Sequence, residues 1–395
     1  MKKRALFHQI IPYLTHKNAI VVTGMRQVGK TTLMRQLYET WDSYKLWFDF
    51  DNPLDTLLFE NIDYNAVYEQ LRSRAGADTG DRLLVCIDEI QNFPEITRQI
   101  KFMIDHHGVK FIVTGSSNYY LRNLFPESLS GRKFLFVLPV LSYKEYLCFN
   151  NRTDESYMLS GIETALQPRT GADIYRYRDL YDDYLEFGGF PEVAVTGSRE
   201  TKKLILKNIF SSFFEKDIKV FSALKEVREL RDLILLLAPR NGNILDISRL
   251  ASEMGINRVK IYSYLEFLEG TFFLRLLPKH TSSIDRSVAG GKKVYFCDTG
   301  LLNLAAKVTE GQLFEVAVAN QLNQYGQLSF YNKRNTAEID FILNGASAFE
   351  VKQTATATDA RKLEKISETL RIKNRYLISK TPVTADLSAV YPWFL

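Results

Sequence analysis

Residues 24–31 carry the residue types and spacing of a phosphate-binding loop. They read G-M-R-Q-V-G-K-T and fit the pattern G-x-x-x-x-G-K-[ST]. The glycines permit a tight turn whose N–H groups converge on one centre, the lysine can reach terminal phosphates, and the threonine hydroxyl can bind Mg²⁺. We therefore expect phosphate contacts from the following residues in and just after this loop: Gly24, Gln27, Val28, Gly29, Lys30, Thr31 and Thr32.

Two neighbouring elements can hold this loop in place. Residues 20–23 form a β-branched apolar run, which predicts a buried strand, and Leu33, Met34 and Leu37 follow the loop at helical spacing. In this order, the unpaired N–H groups of the helix start face the bound phosphate. The alternative is a glycine turn in an ordinary strand–helix unit, which the register on both sides of the loop disfavours.

A pair of acidic residues follows a later apolar run. Residues 83–87 (L-L-V-C-I) show no alternation, as is typical of a strand buried on both faces of a parallel sheet, and Asp88 and Glu89 come directly after them. Open α/β sheets bind ligands at the carboxyl ends of their strands. We predict that Asp88 holds Mg²⁺ through water and that Glu89 activates the attacking water as a general base. A solvated strand end is the alternative.

Strands alternate with helices through the first third of the chain, which predicts a doubly wound α/β unit. The 395 residues are enough for about two or three domains. The three cysteines are far apart, which argues against a metal site and for a reducing compartment. Without a signal-sequence core or an apolar run long enough to span a bilayer, the sequence predicts a cytoplasmic protein with no membrane contact. The net charge of +5 permits nucleic acid as a partner without arguing for it.

Several segments together resemble the AAA+ ATPases, in particular a prokaryotic branch with an additional C-terminal domain: residues 24–32, 84–91, 112–117 and 128–132. The resemblance implies ATP and Mg²⁺ as ligands and a parallel sheet of order 5-1-4-3-2. It also implies that Ser116, with Ser117 next to it, orients the attacking water, and that Arg132 acts in a neighbouring subunit's site. Hydrolysis would then need a homo-oligomeric ring, with six subunits as one option. A surface salt bridge is the alternative role for Arg132.

Residues 1–145 are assigned to the ATPase core and residues 146–237 to a helical lid or linker. AAA+ proteins carry a helical lid after the core, and the Gly-Gly-Phe-Pro turn at residues 188–191 resembles a motif of that lid. Taken alone, this turn predicts a tight connection between helices. Residues 151–171 are polar and weakly periodic, which indicates a loop or an insertion.

Residues 238–295 predict a winged helix-turn-helix. The segment from 247 to 265 has the pattern of a helix, a turn at Gly255 and a second helix, and residues 271–277 and 293–296 could form the two strands of a wing. Recognition helices contact DNA near their start, and basic loops contact phosphates. The predicted DNA-contacting residues are therefore Asn257, Arg258, Lys260, Lys292 and Lys293. A protein-packing module is the alternative.

Residues 296–395 carry a second group of candidate catalytic residues. Two alternating strands flank Asn344-Gly345, a hairpin signal, and a three-residue loop would set Asp340 opposite Glu350 with Lys352 on the same face. Two carboxylates and a lysine can hold a divalent metal ion and stabilise an attacking hydroxide. The residues expected to face the core instead are Ile339, Phe341, Phe349 and Val351.

This arrangement resembles the PD-(D/E)xK nucleases and the Holliday-junction resolvases among them. The resemblance implies that Asp340 and Glu350 are metal ligands, that Lys352 assists the nucleophile, and that Glu315 adds a carboxylate from the preceding helix. An exposed hairpin with a cross-strand charge pair is one alternative. A nuclease-like fold kept only for binding is another.

Taken together, these patterns predict an ATP-hydrolysing protein that binds or remodels duplex or branched DNA, with metal-dependent cleavage as an additional activity. The alternative function is a nucleotide-switched signalling or scaffold ATPase. In that case the nuclease-like domain would be inactive and would bind protein.

Overall fold

The computed structural model describes residues 2–78, 80–116, 131–217, 224–281, 290–333, 336–383 and 387–395. The chain divides into two units, each of which is described by itself. The first unit comprises Met1–Pro139 together with Gly270–Phe272, and the second comprises Val140–Glu269 and Phe273–Leu395.

A five-stranded parallel sheet organises the first unit. Its strand order is β2-β3-β4-β1-β5, which confirms the predicted order 5-1-4-3-2. The central strands are apolar runs that are buried along their whole length, as a sheet covered on both faces requires. The strands are β1 (Ala19–Thr23), β2 (Lys45–Asp49), β3 (Leu84–Asp88), β4 (Lys110–Gly115) and β5 (Lys133–Val137).

Helices connect these strands and bury the sheet. Val85 and Phe111 of the sheet pack in one apolar core with Leu71 and Ile100 of two helices. The helices described in this unit are α1 (Ala5–Ile10), α2 (Lys30–Glu39), α3 (Pro53–Thr56), α4 (Tyr64–Ala75) and α5 (Ile96–His107). The parallel strands direct all their carboxyl ends, and hence the residues that follow β1, β3 and β4, to one edge of the sheet.

The first half of the second unit is helical, as predicted for residues 146–237. Its helices are α6 (Tyr143–Phe149), α7 (Glu155–Met158), α8 (Ile162–Ala165), α9 (Tyr181–Phe187), α10 (Pro191–Val195), α11 (Arg199–Ser212) and α12 (Leu224–Leu237). The segment predicted as a loop or insertion thus contains the two short helices α7 and α8. A π-helical turn, Phe213–Asp217, extends α11.

The predicted helix pair and its two following strands are present. Helix α13 (Ile247–Met254) ends at Gly255, whose φ of 64° lies in the left-handed region that glycine adopts freely, and α14 (Arg258–Gly270) follows after the turn. Strands β6 (Leu274–Leu277) and β7 (Lys293–Phe296) then pair in antiparallel fashion.

A four-stranded mixed sheet forms the end of the chain. Its order is β11-β10-β9-β8, with antiparallel pairs β8–β9 and β9–β10 and a parallel pair β10–β11. Its elements, with the helices that precede them, are α15 (Thr299–Ala305), α16 (Glu310–Asn323), β8 (Leu328–Lys333), β9 (Ala337–Leu343), β10 (Ser347–Lys352), α17 (Ala357–Thr369) and β11 (Asn374–Ser379).

Segments that we predicted as three separate domains, 146–237, 238–295 and 296–395, lie in the one second unit, apart from residues 270–272. Buried polar contacts join the first and last of them. The Gly189 N–H donates to the Asp298 carboxylate at 2.8 Å, and the Tyr181 hydroxyl donates to the Gln321 side-chain oxygen at 3.0 Å. Such contacts specify packing between helices that apolar periodicity alone leaves open.

Among the residues that the structure describes, no helix is both long and apolar enough to cross a bilayer.

Candidate functional site

The predicted phosphate-binding loop has the geometry its sequence requires. Helix α2 begins at Lys30, directly after Gly29, whose φ of 96° is left-handed. The Lys30 ammonium donates to the carbonyl oxygens of Gly24 at 3.0 Å and of Met25 at 2.8 Å. These bonds hold the buried lysine across the mouth of the loop, where it can exchange the carbonyls for phosphate oxygens.

Other predicted phosphate-contacting residues differ in exposure. Gln27, Thr31 and Thr32 are exposed, whereas Val28 is buried. The Arg4 guanidinium, itself buried, donates to the Val28 carbonyl oxygen at 2.9 Å and thereby braces the loop from below. Sequence reasoning missed this role, because a basic residue near the chain start carries no local signal of its partner.

Gly24 lies too close to its neighbour for any side chain. Its φ is 150°, and a Cβ added there would collide with the carbonyl oxygen of Leu138. We predict that Gly24→Ala lowers the free energy of unfolding by about 1–3 kcal/mol through backbone strain and overpacking. Denaturant unfolding measures this change. Gly197→Ala is the matched control, because Gly197 has open space around it, and equal effects of the two changes would contradict the prediction.

The acidic pair after β3 is bound to the end of β4. Asp88 is buried and accepts a hydrogen bond from the Thr114 hydroxyl. The Glu89 N–H donates to Asp88 Oδ1 and to Thr114 Oγ1, both at 3.2 Å. Glu89 has a φ of 51°, an unusual value for a residue with a side chain, and such backbone outliers cluster at functional sites. Thr114, which sequence reasoning left unassigned, therefore fixes the orientation of the Asp88 carboxylate.

Gln91 joins two of the predicted catalytic residues. Its side-chain amide donates to the Glu89 carboxylate and also lies 3.3 Å from Ser116 Oγ. Ser116, predicted to orient water, is buried at the end of β4. Gln91 belongs to the motif that carries the AAA+ resemblance, but we did not assign it a role. The only sequence signal for its contact with Glu89 is that it lies two residues farther along the chain. Ser117 lies outside the described residues.

Arg132 forms an ion pair on the surface of its own unit. Its Nε lies 2.6 Å from Asp105 Oδ1, and both side chains are about one-third exposed, at 36% and 30%. This ion pair is the surface salt bridge that we gave as the alternative role for Arg132. The other role is that of an arginine finger, which acts in the site of a neighbouring subunit. Exposed pairs of this kind contribute little to stability, so the contact can open at small cost. The finger role stays a prediction.

Two of the predicted DNA-contacting lysines form ion pairs with acidic side chains of the same chain. Lys260 pairs with Glu229 at 2.6 Å, and the buried Lys293 pairs with Glu338 at 2.7 Å. Because β7 turns Lys293 toward the final sheet, the prediction that it contacts DNA from an exposed wing is wrong. Charge counts along the sequence do not tell which lysines a sheet buries.

The other predicted DNA-contacting residues lie nearer the surface. Arg258 and Asn257 are exposed at the start of α14, and Lys292 is half-buried. The Asn257 side-chain oxygen accepts the Lys260 N–H at 2.8 Å, so it caps the helix. Part of the basic loop before β7, residues 282–289, lies outside the described residues.

The carboxylates of the C-terminal hairpin meet as predicted. Strands β9 and β10 pair Leu343 with Ser347 and Phe341 with Phe349, the register that the three-residue loop predicts. Asp340 Oδ2 accepts the N–H of Val351, next to Glu350, at 2.8 Å. The Lys352 ammonium lies 2.8 Å from Glu350 Oε1 and 3.9 Å from Asp340 Oδ2. This group, Asp340, Glu350 and Lys352, is called the carboxylate–lysine site below.

Both faces of this hairpin are covered. The residues expected to face the core are buried, but Ile342 and Ala348, whose side chains share the face of Asp340, are buried as well. They pack with Leu363 and Ile366 of α17. The carboxylates therefore do not lie on an open sheet face.

Burial shapes the electrostatics of the carboxylate–lysine site. It raises the pKa of the Glu350 carboxyl, and the neighbouring Asp340 carboxylate raises that pKa further, while Lys352 opposes both effects. Glu350 Oε2 is buried and has no hydrogen-bond partner among the residues that the structure describes. A buried carboxylate oxygen without a donor is suited to a cation, since unpaired charge in an apolar setting is costly.

Glu315 extends this site from α16. The capping box of Thr309 and Gln312 starts that helix, and the Glu315 carboxylate accepts the Tyr295 hydroxyl at 2.7 Å. Burial raises the pKa of Glu315, and the Asp340 charge adds to the rise. For Lys293, burial alone would lower the pKa, but Glu315 and the other nearby carboxylates raise it above its ordinary value.

These side chains are not arranged as a complete metal site. In the parts of the chain that the structure describes, no group of three or more His, Cys, Asp or Glu residues is placed to hold a metal ion. Asp340 and Glu350 offer carboxylate oxygens, the ligands that Mg²⁺ and Mn²⁺ prefer, and the charge of Asp340 raises the pKa of Glu315. A third metal ligand would have to come from Glu315, after a movement of its side chain, or from a water molecule.

Three family models match successive parts of the chain. An AAA domain matches residues 16–147, a domain of unknown function (DUF8612) matches residues 178–312, and a second one (DUF4143) matches residues 310–393. The last match contains Glu315 and the whole carboxylate–lysine site.

Relatives from distant organisms match most of the chain. An uncharacterized protein of Methanocaldococcus jannaschii is 27% identical over 372 residues, which cover 90% of this chain and 80% of that protein. One from Haemophilus influenzae is 25% identical over 359 residues, covering 86% and 84%. One from Mycobacterium tuberculosis is 23% identical over 391 residues, covering 94% and 76%. The order of the segments is thus shared across archaea and bacteria.

Solved structures show weaker overall similarity. The Walker-type ATPase of Pyrococcus abyssi has a TM-score of 0.48 and 13% identity over 76% of this chain and 94% of its own. The Orc1 protein of Aeropyrum pernix, solved with DNA, has a TM-score of 0.33 and 14% identity over 76% of this chain and 91% of its own. The RuvB Holliday junction branch migration motor of Thermotoga maritima has a TM-score of 0.31 and 15% identity over 69% of this chain and 88% of its own. Scores below 0.5 do not establish a shared overall architecture. The match to the AAA domain model, residues 16–147, covers the five-stranded parallel sheet and its phosphate-binding loop.

Proposed function

We propose that this chain hydrolyses ATP and uses the cycle to act on DNA. The observation that carries the first part is the polar chain at one edge of the parallel sheet, from Ser116 through Gln91 to Glu89, next to the buried Asp88. The loop that holds Lys30 follows β1, which neighbours β4, so it lies at the same edge. A sheet edge with a phosphate cradle, a metal-binding carboxylate and a positioned base has the parts that phosphoryl transfer to water needs.

Each residue has a separate task in this proposal. Lys30 and the N–H groups at the start of α2 bind the phosphates, and Thr31 and Asp88 hold the Mg²⁺ that offsets phosphate charge. Glu89 takes the proton of the attacking water. Gln91 and Ser116 fix the direction of Glu89 and of that water. Arg132 leaves Asp105 and stabilises the transferred phosphate of a neighbouring subunit in a ring.

The proposed action on DNA rests on the second unit. Arg258 is exposed at the start of α14, where a recognition helix meets bases, and the β6–β7 pair follows as a wing would. The carboxylate–lysine site supports a further step, metal-dependent cleavage of a phosphodiester. There Asp340 and Glu350 would hold the metal ion, and Lys352 would stabilise the attacking hydroxide.

A DNA-stimulated ATPase rate tests this function directly. We expect phosphate release to rise when duplex or four-way-junction DNA is added, and to fall again as salt increases, because phosphate contacts release counterions. Arg258→Ala should weaken DNA binding and lower the slope of log K against log salt by about one. Arg231→Ala is the control, since Arg231 is an exposed arginine on α12 outside the predicted interface.

The outcome can instead favour the second function, a nucleotide-switched scaffold. The Val259 and Tyr262 side chains of α14 are exposed, with exposed fractions of 73% and 59%. Together they give this helix an exposed apolar surface, which suits contact with another protein. Lys260, on the same helix, is neutralised by acidic partners. If ATP is bound and hydrolysed but DNA changes neither the rate nor the affinity, action on DNA is contradicted and the scaffold function gains support.

A further inference from the structure

The second unit contains a cavity of about 620 Å³ that none of the sites described above uses. Its walls come from the segment between Asn151 and Tyr177 and from Phe394. That whole segment lies between the parts of the chain matched by the AAA domain and by the next family model, residues 16–147 and 178–312. Its volume is in the range of cavities that bind small molecules.

Arginine side chains give this cavity its charge. Arg169 is held in a defined place, because its Nη1 pairs with Asp173 at 3.1 Å and its Nη2 donates to the Thr164 carbonyl oxygen at 2.9 Å. The planar fork of a guanidinium matches two oxygens of a phosphate. The arginines in the lining are Arg152, Arg169 and Arg176.

Carboxylates near the cavity are already engaged. Asp154, which is in the lining, accepts the N–H of Tyr157 and the Ser156 hydroxyl, both at 2.9 Å, at the start of α7. Arg152 pairs with Asp179 outside the lining, and both side chains are about half exposed. Exposed ion pairs are weak, so an anion can compete for that arginine.

Aromatic rings form the other part of the wall. The Tyr157 and Tyr177 ring centroids are 4.8 Å apart, and Phe394 lies 6.0 Å from Tyr177. Arg169 lies over the Phe394 ring at 4.6 Å, and Arg176 lies over the Tyr177 ring at 4.9 Å. Rings and guanidinium planes packed in this way are the surfaces on which a planar base stacks.

Polar atoms around the cavity lack partners. The Thr153 hydroxyl, the Tyr157 hydroxyl and Arg169 Nε are all buried, and in the described parts of the chain none has a hydrogen-bond partner. Buried polar groups are nearly always satisfied, so these three atoms mark polar side chains packed within the cavity wall, where a small shift would bring them to a ligand. Tyr177 also has a left-handed φ of 69°, a strained value that holds its ring at the cavity wall.

We propose that this cavity binds a nucleotide, through its phosphate on the arginines and its base against the aromatic rings. The site is built from residues of the second unit alone and is additional to the phosphate-binding loop. The same chemistry is available from a free mononucleotide and from a nucleotide unit of single-stranded nucleic acid. A regulatory ligand would come from the first source and a strand held during DNA processing from the second.

Calorimetric titration of the full-length chain tests this proposal. Lys30→Ala removes the main phosphate contact of the loop, so nucleotide still bound by that variant reports on another site. We expect the Lys30→Ala chain to bind adenosine monophosphate or a short thymidine oligonucleotide. Adding Arg176→Ala should weaken that binding by at least about tenfold, as loss of a charge-assisted hydrogen bond does. Binding of both probes, or of the oligonucleotide alone, identifies the source.

Arg178→Ala is the matched control. Arg178 is two positions away and stacks on Tyr175 and Trp393, but it is not part of the lining. The proposal is overturned if neither probe binds the Lys30→Ala chain, or if Arg176→Ala and Arg178→Ala bind equally well. Should Lys30→Ala fail to fold, the two sites are resolved in the unaltered loop: the unaltered chain should bind ATP at two sites, and Arg176→Ala should keep the affinity of one site and weaken the other by at least about tenfold. Neither readout depends on hydrolysis, so failure of the ATPase proposal would be seen separately.

Discussion

Glu89→Gln should slow ATP turnover by roughly 10²- to 10⁴-fold, the usual contribution of a positioned general base. The amide keeps the size of the side chain and can still meet Gln91, but it cannot accept the proton of water. Lys30 and the loop N–H groups are untouched, so nucleotide affinity should stay close to that of the unaltered chain. Phosphate release under single-turnover conditions gives the rate, and equilibrium titration with ATP gives the affinity.

Glu95→Gln is the control for this change, because Glu95 is an exposed acid just before α5, six residues farther along the chain. Gln91→Ala provides an intermediate case. It leaves the base in place but removes the amide that joins Glu89 and Ser116, so turnover should fall less than in Glu89→Gln. Normal turnover in Glu89→Gln would disprove its role as base and would shift attention to water activated by the nucleotide itself.

The elements of the AAA domain could be predicted because their signals are local. The glycine spacing of residues 24–31 fixes where β1 ends and α2 begins, and continuous apolar runs mark strands buried on both faces. The signal for the hairpin register is also local. A three-residue loop, residues 344–346, pairs the two strands in one register, and that register sets Asp340 opposite Glu350. In both cases a few neighbouring residues determine the backbone.

Contacts between distant parts of the chain could not be predicted in this way. In the sequence, Lys293 is one of several basic residues in a predicted loop. Its ion-pair partner, Glu338, lies 45 positions away in another sheet, so no local pattern indicates the pair. The bond from Arg4 to the phosphate-binding loop spans 24 positions. The cavity of the second unit came from a segment that looked like an insertion, because its aromatic and arginine residues converge only in three dimensions.

Asp340→Asn should abolish metal-dependent DNA cleavage while ATP turnover stays unchanged. Loss of groups that merely support a metal ligand costs about 10- to 100-fold, so loss of a ligand charge should cost more than roughly 100-fold in cleavage rate. The side-chain amide oxygen of this variant can still accept the hydrogen bond from the Val351 N–H, so the hairpin should remain folded. Labelled linear and four-way-junction DNA, incubated with Mg²⁺ or Mn²⁺ and resolved by size, measures cleavage.

The control is Glu364→Gln, since Glu364 is a half-exposed acid of α17 that pairs with Arg375 away from the carboxylate–lysine site. If Asp340→Asn still cuts DNA at the rate of Glu364→Gln, the nuclease proposal fails. If even the unaltered chain cuts nothing, Mn²⁺ titration separates two cases. Binding that Asp340→Asn removes would leave a metal site without cleavage. No binding would mean that Lys352 neutralises the buried carboxylates for structural reasons, as the short Lys352–Glu350 contact allows.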